Sequence, residues 1–203
     1  MRARMAICLS RFSCEMREVH LSQKPSEMIK ISPKGTVPVL LLPTGRVIDE
    51  SMDLMKYVLS INNPMGIMTD YTQNKDEVDR MLYIFDNKFK YHLDRYKYSS
   101  RYEKVDPLEH RQKALKILDA LAVSPIFNTN KNYITNPKLI DISLLPLVRQ
   151  YRIADPEWFD TEMPYTDIKN WLNVFLDSKL FNQIMIKFKR WDTSSERVYF
   201  PPN

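Results

Sequence analysis

The chain has 203 residues, with 30 Lys and Arg against 25 Asp and Glu for a formal charge of +5, and 44% of it is hydrophobic. That length can bury the core of one large or two small domains, and no apolar run approaches the ~20 residues of a membrane-spanning helix. The opening MRARMAICLSRFSCEMREV has an interrupted apolar stretch and no small-residue cleavage site, so it does not read as a secretory signal. Cys8 and Cys14 are too few for a disulfide framework and fit a reducing, cytoplasmic setting. Basic residues are interleaved with acidic ones, as in DNKFKYHLDRYKYSSRYEK (86–104). This is the pattern of a solvated helical face, so neither nucleic acid nor a membrane is expected as a partner.

In chain order, Met1, Met5, Cys8, Leu9 and Phe12 recur at helical spacing and predict a helix over 1–13. Residues 15–21 (EMREVHL) alternate as a strand does, and Pro25 suits the first turn of a short helix. Val37, Val39, Leu40, Leu41 and Leu42 form an apolar, β-branched run that predicts a buried strand over 37–42. Pro43-Thr44-Gly45 reads as a hairpin turn, 46–48 as the returning strand and 50–61 as a helix. NNPMG (62–66) breaks that helix and reads as a linker. Beyond it the pattern is helical: 72–98, Pro107 to Ala122, a buried helix at 139–153, then 166–176 and 179–188, with DTSSERVYFPPN as an irregular tail. The expected division is an α/β domain over 1–62, a linker over 63–70 and an all-helical domain over 71–203.

The informative stretch is SPKGTVPVLLLPTGRVIDES (32–51). Pro38 has no N–H for a sheet ladder and belongs at a strand's first residue, an edge or a bulge. A turn at Val37-Pro38, whose peptide bond can be cis at modest cost, directs the Val37 N–H and C=O away from the sheet, where an extended peptide could pair with them. Glu50 and Ser51 fall at the start of the next helix, where free N–H groups favour a carboxylate. Ser51 can donate to that carboxylate while Glu50 accepts from an ammonium, and an α-amino acid end carries both groups. A proline at a strand start and an acidic helix cap are also common structural devices on their own.

SPKGTVPVL, followed thirteen residues after Val37 by Glu50-Ser51 and a helix, resembles the glutathione-binding half of the glutathione transferases. RARMAICLS is similar to their first helix, KPSEMIKISPKG to the segment before the turn, and DISLLPLVRQY to their buried core helix. The resemblance is closest to bacterial cysteine-type or omega-like members. It implies a thioredoxin-like N-terminal domain followed by an all-helical C-terminal domain, glutathione as cosubstrate, a small electrophile as substrate, no metal, and a homodimer. Residue by residue, it implies that Val37 pairs with the cysteinyl backbone of glutathione and that Pro38 is the cis-proline. Glu50 and Ser51 would hold the γ-glutamyl end, and Lys24 would contact the glycyl carboxylate. A solvated surface lysine is the other reading of Lys24.

Two departures bear on function. The family's first strand and its Cys-, Ser- or Tyr-bearing segment precede an Arg-x-Arg such as Arg2-Ala3-Arg4, so they are absent from the sequence given. The expectation is a start upstream of Met1, and the catalytic residue is unassigned. Cys8, among apolar neighbours, and Cys14, at a helix-to-strand turn, are not convincing substitutes. Lys138 also stands where the family places Ser or Thr in the capping box ending at Asp141, so that cap is expected to be half present, with Thr135 or Asn136 as alternatives.

His20, His92 and His110 are far apart in sequence and suggest no metal or catalytic-histidine site. Tyr91, Arg95, Tyr98 and Tyr102 recur at three- and four-residue steps and offer either a packing face or a wall of the electrophile pocket. Trp158, Trp171 and Trp191 read as packing residues. The reading favoured is a glutathione S-transferase-like enzyme. Its alternative is a non-catalytic binding or regulatory protein of the same fold, as the stringent starvation regulators resemble.

Overall fold

The structure, a computed structural model, describes residues 1–128, 133 and 135–202. It forms two compact units, one of Met1–Met65 with Lys179–Asn203 and one of Gly66–Ser178. The sequence pattern placed residues 179–203 with the helices; the structure groups them with the N-terminal unit.

In the first unit, helix α1 (Arg2–Ser10) packs against α3 (Ser51–Ile61) and α12 (Lys179–Ile184). Met5 and Ala6 from α1 and Met55, Val58 and Leu59 from α3 are wholly buried. The helix expected over 1–13 stops sooner. Arg11 turns left-handed (φ 55°) and gives its N–H to the Cys8 carbonyl, while the Phe12 N–H reaches Ile7. This satisfies the helix's last carbonyls.

The strands are shorter than their apolar runs. The predicted strand 15–21 reduces to β1 (Cys14–Glu15) with isolated bridges at Glu18 and His20. The predicted strand 37–42 reduces to β2 (Leu40–Leu41), which pairs antiparallel with β3 (Val47–Ile48), Leu40 opposite Ile48. Pro38 and the bend at Val37 keep the first half of the run out of the ladder. A short helix α2 (Ser26–Ile31) follows Pro25.

The tail is not irregular throughout. Strand β4 (Tyr199–Phe200) pairs antiparallel with β1, Cys14 opposite Phe200, and the Met16 N–H donates to the Val198 carbonyl at 2.7 Å. Arg4 anchors this segment. Its guanidinium donates to the carbonyls of Ile184 (3.0 Å) and Ile186 (2.9 Å) and to Glu18 (2.6 Å), and it lies over the rings of Phe188 and Phe200. Phe200 is completely buried.

In the second unit the expected helix 72–98 is interrupted. Helix α4 (Ile67–Gln73) ends at Asn74 and overlaps the expected linker; α5 (Lys75–Tyr83) then leads through a π-helical turn (Ile84–Phe89) into α6 (Lys90–Lys97). Helix α7 (Pro107–Ala122) begins as expected, with the Asp106 carboxylate accepting from the Leu108 N–H and Pro107 in the first turn. Helices α8 (Pro125–Asn128) and α10 (Pro156–Thr161) were not anticipated. Helix α9 (Leu139–Ala154) is the centre of the unit, packed against α4, α5, α6, α8, α10 and α11 (Thr166–Leu176).

The start of α9 is held by Asp141, which is 1% exposed. Its carboxylate accepts from the Lys138 N–H at 2.8 Å and from the Trp171 indole N–H at 3.1 Å. An ammonium cannot accept a hydrogen bond, so Lys138 cannot return the bond as Ser or Thr would; its Nζ instead pairs with Asp70 at 3.2 Å. Lys138, rather than Thr135 or Asn136, is the capping position. Trp171 therefore packs and also donates.

Candidate functional site

The candidate site is built by the turn between α2 and β2 and by the start of α3. Ser32, 1% exposed, follows α2 and donates its hydroxyl to the Asp49 carboxylate at 2.7 Å. Lys34 ion-pairs with Glu50. These two contacts hold the SPKG turn against the residues that open α3. Neither Ser32 nor Lys34 stands out in the sequence, because a loop serine and a loop lysine carry no periodicity. Gly35 is required directly after them. Its φ is +62°, and a Cβ there would meet Ile29 Cδ1 at 3.1 Å and Lys24 Nζ at 3.2 Å.

After the turn, Val37 is half-exposed and the Val37–Pro38 peptide is cis. Among the described residues, no partner takes the Val37 N–H or C=O. Glu50 is the N-cap of α3, extended (φ −106°, ψ 134°), and its carbonyl accepts from the Leu54 N–H at 3.0 Å. Ser51 is the first residue of the helix and is partly exposed. Lys24 is exposed on the loop before α2, with its side chain running along Gly35 toward the turn. Chemically, this patch offers an unpaired main-chain donor and acceptor, a helix start with a hydroxyl, a carboxylate and two lysines. The carboxylate is neutralised by Lys34, so a ligand ammonium there would exchange with that lysine.

The two cysteines are poor nucleophiles. Burial pushes the Cys8 thiol up to about 12, with Arg4 opposing and Cys14 reinforcing the shift. Burial raises the Cys14 thiol as well. A thiol in that state is protonated at neutral pH and does not attack disulfides or electrophiles.

In the second unit, Arg95 is clasped by two of the three residues expected beside it. Its guanidinium lies 3.5 Å from the Tyr91 ring centre and 4.6 Å from that of Tyr102. Tyr98 is not part of this stack; it faces Arg101 at 4.2 Å and Lys97 at 5.0 Å. Beside Tyr91, the sequence-distant His92 and His110 meet, with Nδ1 atoms 2.8 Å apart. These two histidines, far apart in sequence, meet because α6 packs along α7. Among the described residues, no group of three or more His, Cys, Asp or Glu could hold a metal ion, and no helix is long and apolar enough to cross a membrane.

Residues 1–65 match the family profile "Glutathione S-transferase, N-terminal domain". No curated protein sequence matches the chain. Among solved structures, the chain is similar to glutathione transferase Omega 3C from Trametes versicolor, at 17% identity over 93% of this chain and 80% of that one, with a TM-score of 0.73. It is also similar to a glutathione S-transferase from Methylobacillus flagellatus with glutathione bound (17% identity, 90% and 92% covered, TM-score 0.72). A glutathione transferase homologue from Sulfitobacter, with bound glutathione, matches at 15% identity over 89% of each chain, with a TM-score of 0.68. At these identities the structures establish the fold, and the profile match covers the segment that builds the patch around Val37 and Glu50. Residues 1–65 thus carry the profile of that family's N-terminal domain, and the fold is a thioredoxin-like domain followed by a helical one.

Proposed function

We propose that the chain binds glutathione extended along Val37 and either transfers it to, or exchanges thiols with, small electrophiles. The observation that carries this reading is the exposed, internally unpaired Val37 main chain beside a helix start bearing Glu50 and Ser51. Val37 pairs with the cysteinyl unit in strand fashion. Ser51 and the end of α3 take the γ-glutamyl carboxylate, and Glu50 takes its ammonium in exchange for Lys34. Lys24 meets the glycyl carboxylate. The Tyr91–Arg95–Tyr102 stack supplies aromatic faces and a cation for the electrophile, with Tyr98 outside it. The working form is a homodimer of omega-like or bacterial cysteine-type character, in a cytoplasmic setting.

The test is calorimetric titration with glutathione. Wild type is expected to bind, and Ser51→Ala to lose roughly 10-fold or more, the scale of one hydrogen bond to a charged group. No binding by wild type overturns the proposal. One observation favours a second reading, a glutathione-binding or regulatory protein without turnover: both thiols present are held protonated by burial. Glutathione binding without conjugation or thiol exchange on electrophilic and disulfide test substrates supports that second reading.

A further inference from the structure

The C-terminal segment reaches the loop that carries Lys24. Arg190 donates from Nη1 to the Gln23 side-chain oxygen at 2.5 Å and from Nη2 to the Gln23 main-chain carbonyl at 3.4 Å. That carbonyl belongs to the peptide unit joining Gln23 to Lys24, so the guanidinium fork restrains the plane from which the Lys24 side chain departs. The loop is otherwise tied on this side by a single short turn, the Gln23 N–H donating to His20 at 2.9 Å. Arg190 itself is held in place. The neighbouring Trp191 N–H donates to the Glu18 carbonyl at 2.8 Å, and the Arg17 guanidinium lies 4.7 Å from the Trp191 ring centre. These groups all belong to the first unit.

We propose that Arg190 is a positioning residue for the glycyl end of the tripeptide, acting through Gln23 on Lys24. This inference rests on the glutathione-binding reading. Its chemistry is specific: with the two ends of its fork on Gln23, Arg190 orients the lysine that meets the carboxylate rather than meeting the ligand itself. A ligand that lacks the glycine does not use Lys24, so it is indifferent to Arg190.

The experiment compares glutathione with γ-glutamylcysteine by calorimetric titration on wild type and Arg190→Ala. The expected result is a roughly 3- to 10-fold weaker affinity of the variant for glutathione, the range of one lost hydrogen-bonding restraint, with γ-glutamylcysteine unchanged within about twofold. Amide exchange in the ligand-free variant is expected to quicken at Gln23 and Lys24. Equal weakening of both ligands overturns the proposal, because it marks a general loosening of the unit. An unchanged glutathione affinity also overturns it. Wild type that binds neither ligand refutes the glutathione-binding reading, and the inference falls with it; wild type that binds glutathione with no effect of the variant refutes only the inference.

Discussion

Replacing Asp141 with alanine removes the carboxylate that caps the central helix of the second unit. Two donors lose a partner they have in the folded chain: the Lys138 N–H at 2.8 Å and the Trp171 indole N–H at 3.1 Å. Loss of a helix cap costs about 0.5–2 kcal/mol, and a buried donor left without an acceptor costs about 1–3 kcal/mol. Asp141 is 1% exposed and Trp171 equally so, which leaves little room for water to replace the carboxylate. Together these put the loss at about 1.5–5 kcal/mol. Urea unfolding followed by tryptophan fluorescence measures it, the midpoint falling with unchanged slope. Trp171→Phe alone is expected to cost about 2–3 kcal/mol, since it removes this hydrogen bond and leaves a cavity where the larger indole packed. The double variant is expected to lose less than the sum, because the two residues share one interaction. A loss below about 0.5 kcal/mol for Asp141→Ala, or strict additivity, would refute the reasoning that this carboxylate organises the helix start.

Two further outcomes follow from groups already described. His92 is lowered from the ordinary imidazole value chiefly by burial, then by His110, Lys113 and Arg95 with Glu109 opposing, and His110 is lowered chiefly by burial, then by Lys113 and Arg95 with Glu109 and Asp106 opposing. The unfolded chain therefore takes up protons at these sites first, below ~6.5. Their contribution to stability is complete above that pH and is lost on acidification. Between pH 7.5 and 5.5 wild type is expected to lose more stability in urea titrations than the His92→Gln/His110→Gln double variant; equal losses would refute this. Arg4→Met keeps the length of the side chain but removes its donors to Ile184, Ile186 and Glu18. It is expected to cost about 1–3 kcal/mol and to expose residues 185–200 to limited proteolysis; an unaltered cleavage pattern would count against an anchoring role.

Local chemistry explains which elements were legible. The helix at 107–122 announces itself through Asp106-Pro107, a cap followed by a first-turn proline. Asp155-Pro156 carries the same signal, with the Asp155 carboxylate accepting from the Trp158 N–H at 3.1 Å, so the missed helix α10 was readable. The strands were overextended because an apolar run at 37–42 shows burial preference and not ladder length. Leu40 and Leu42 are buried in the structure while Leu41 points out. The pairing of β1 with β4 joins residues 186 positions apart and leaves no local trace. At the candidate site, Lys24, Val37, Pro38, Glu50 and Ser51 came from motif and family resemblance. The groups that hold them, Ser32, Lys34, Asp49 and Arg190, act through tertiary contacts that no spacing rule reports. Tyr91 and Arg95 meet at helical spacing on α6, whereas Tyr98 caps that helix and faces Arg101, and Tyr102, in extended backbone beyond the next turn, returns to Arg95 by a path no helical spacing reports.

The placement of residues 179–203 beside residues 1–65 has a kinetic corollary. The first unit is discontinuous: its two parts are separated by the whole of the second unit, which can assemble from contiguous chain. During synthesis, the N-terminal part must therefore wait for more than a hundred intervening residues to emerge before the edge of β1 acquires its neighbour and Arg4 its carbonyls. Closure over so long a span is slow compared with local helix formation. The order of maturation is thus expected to run against the order of translation, the later-made helical unit consolidating first and the discontinuous unit last.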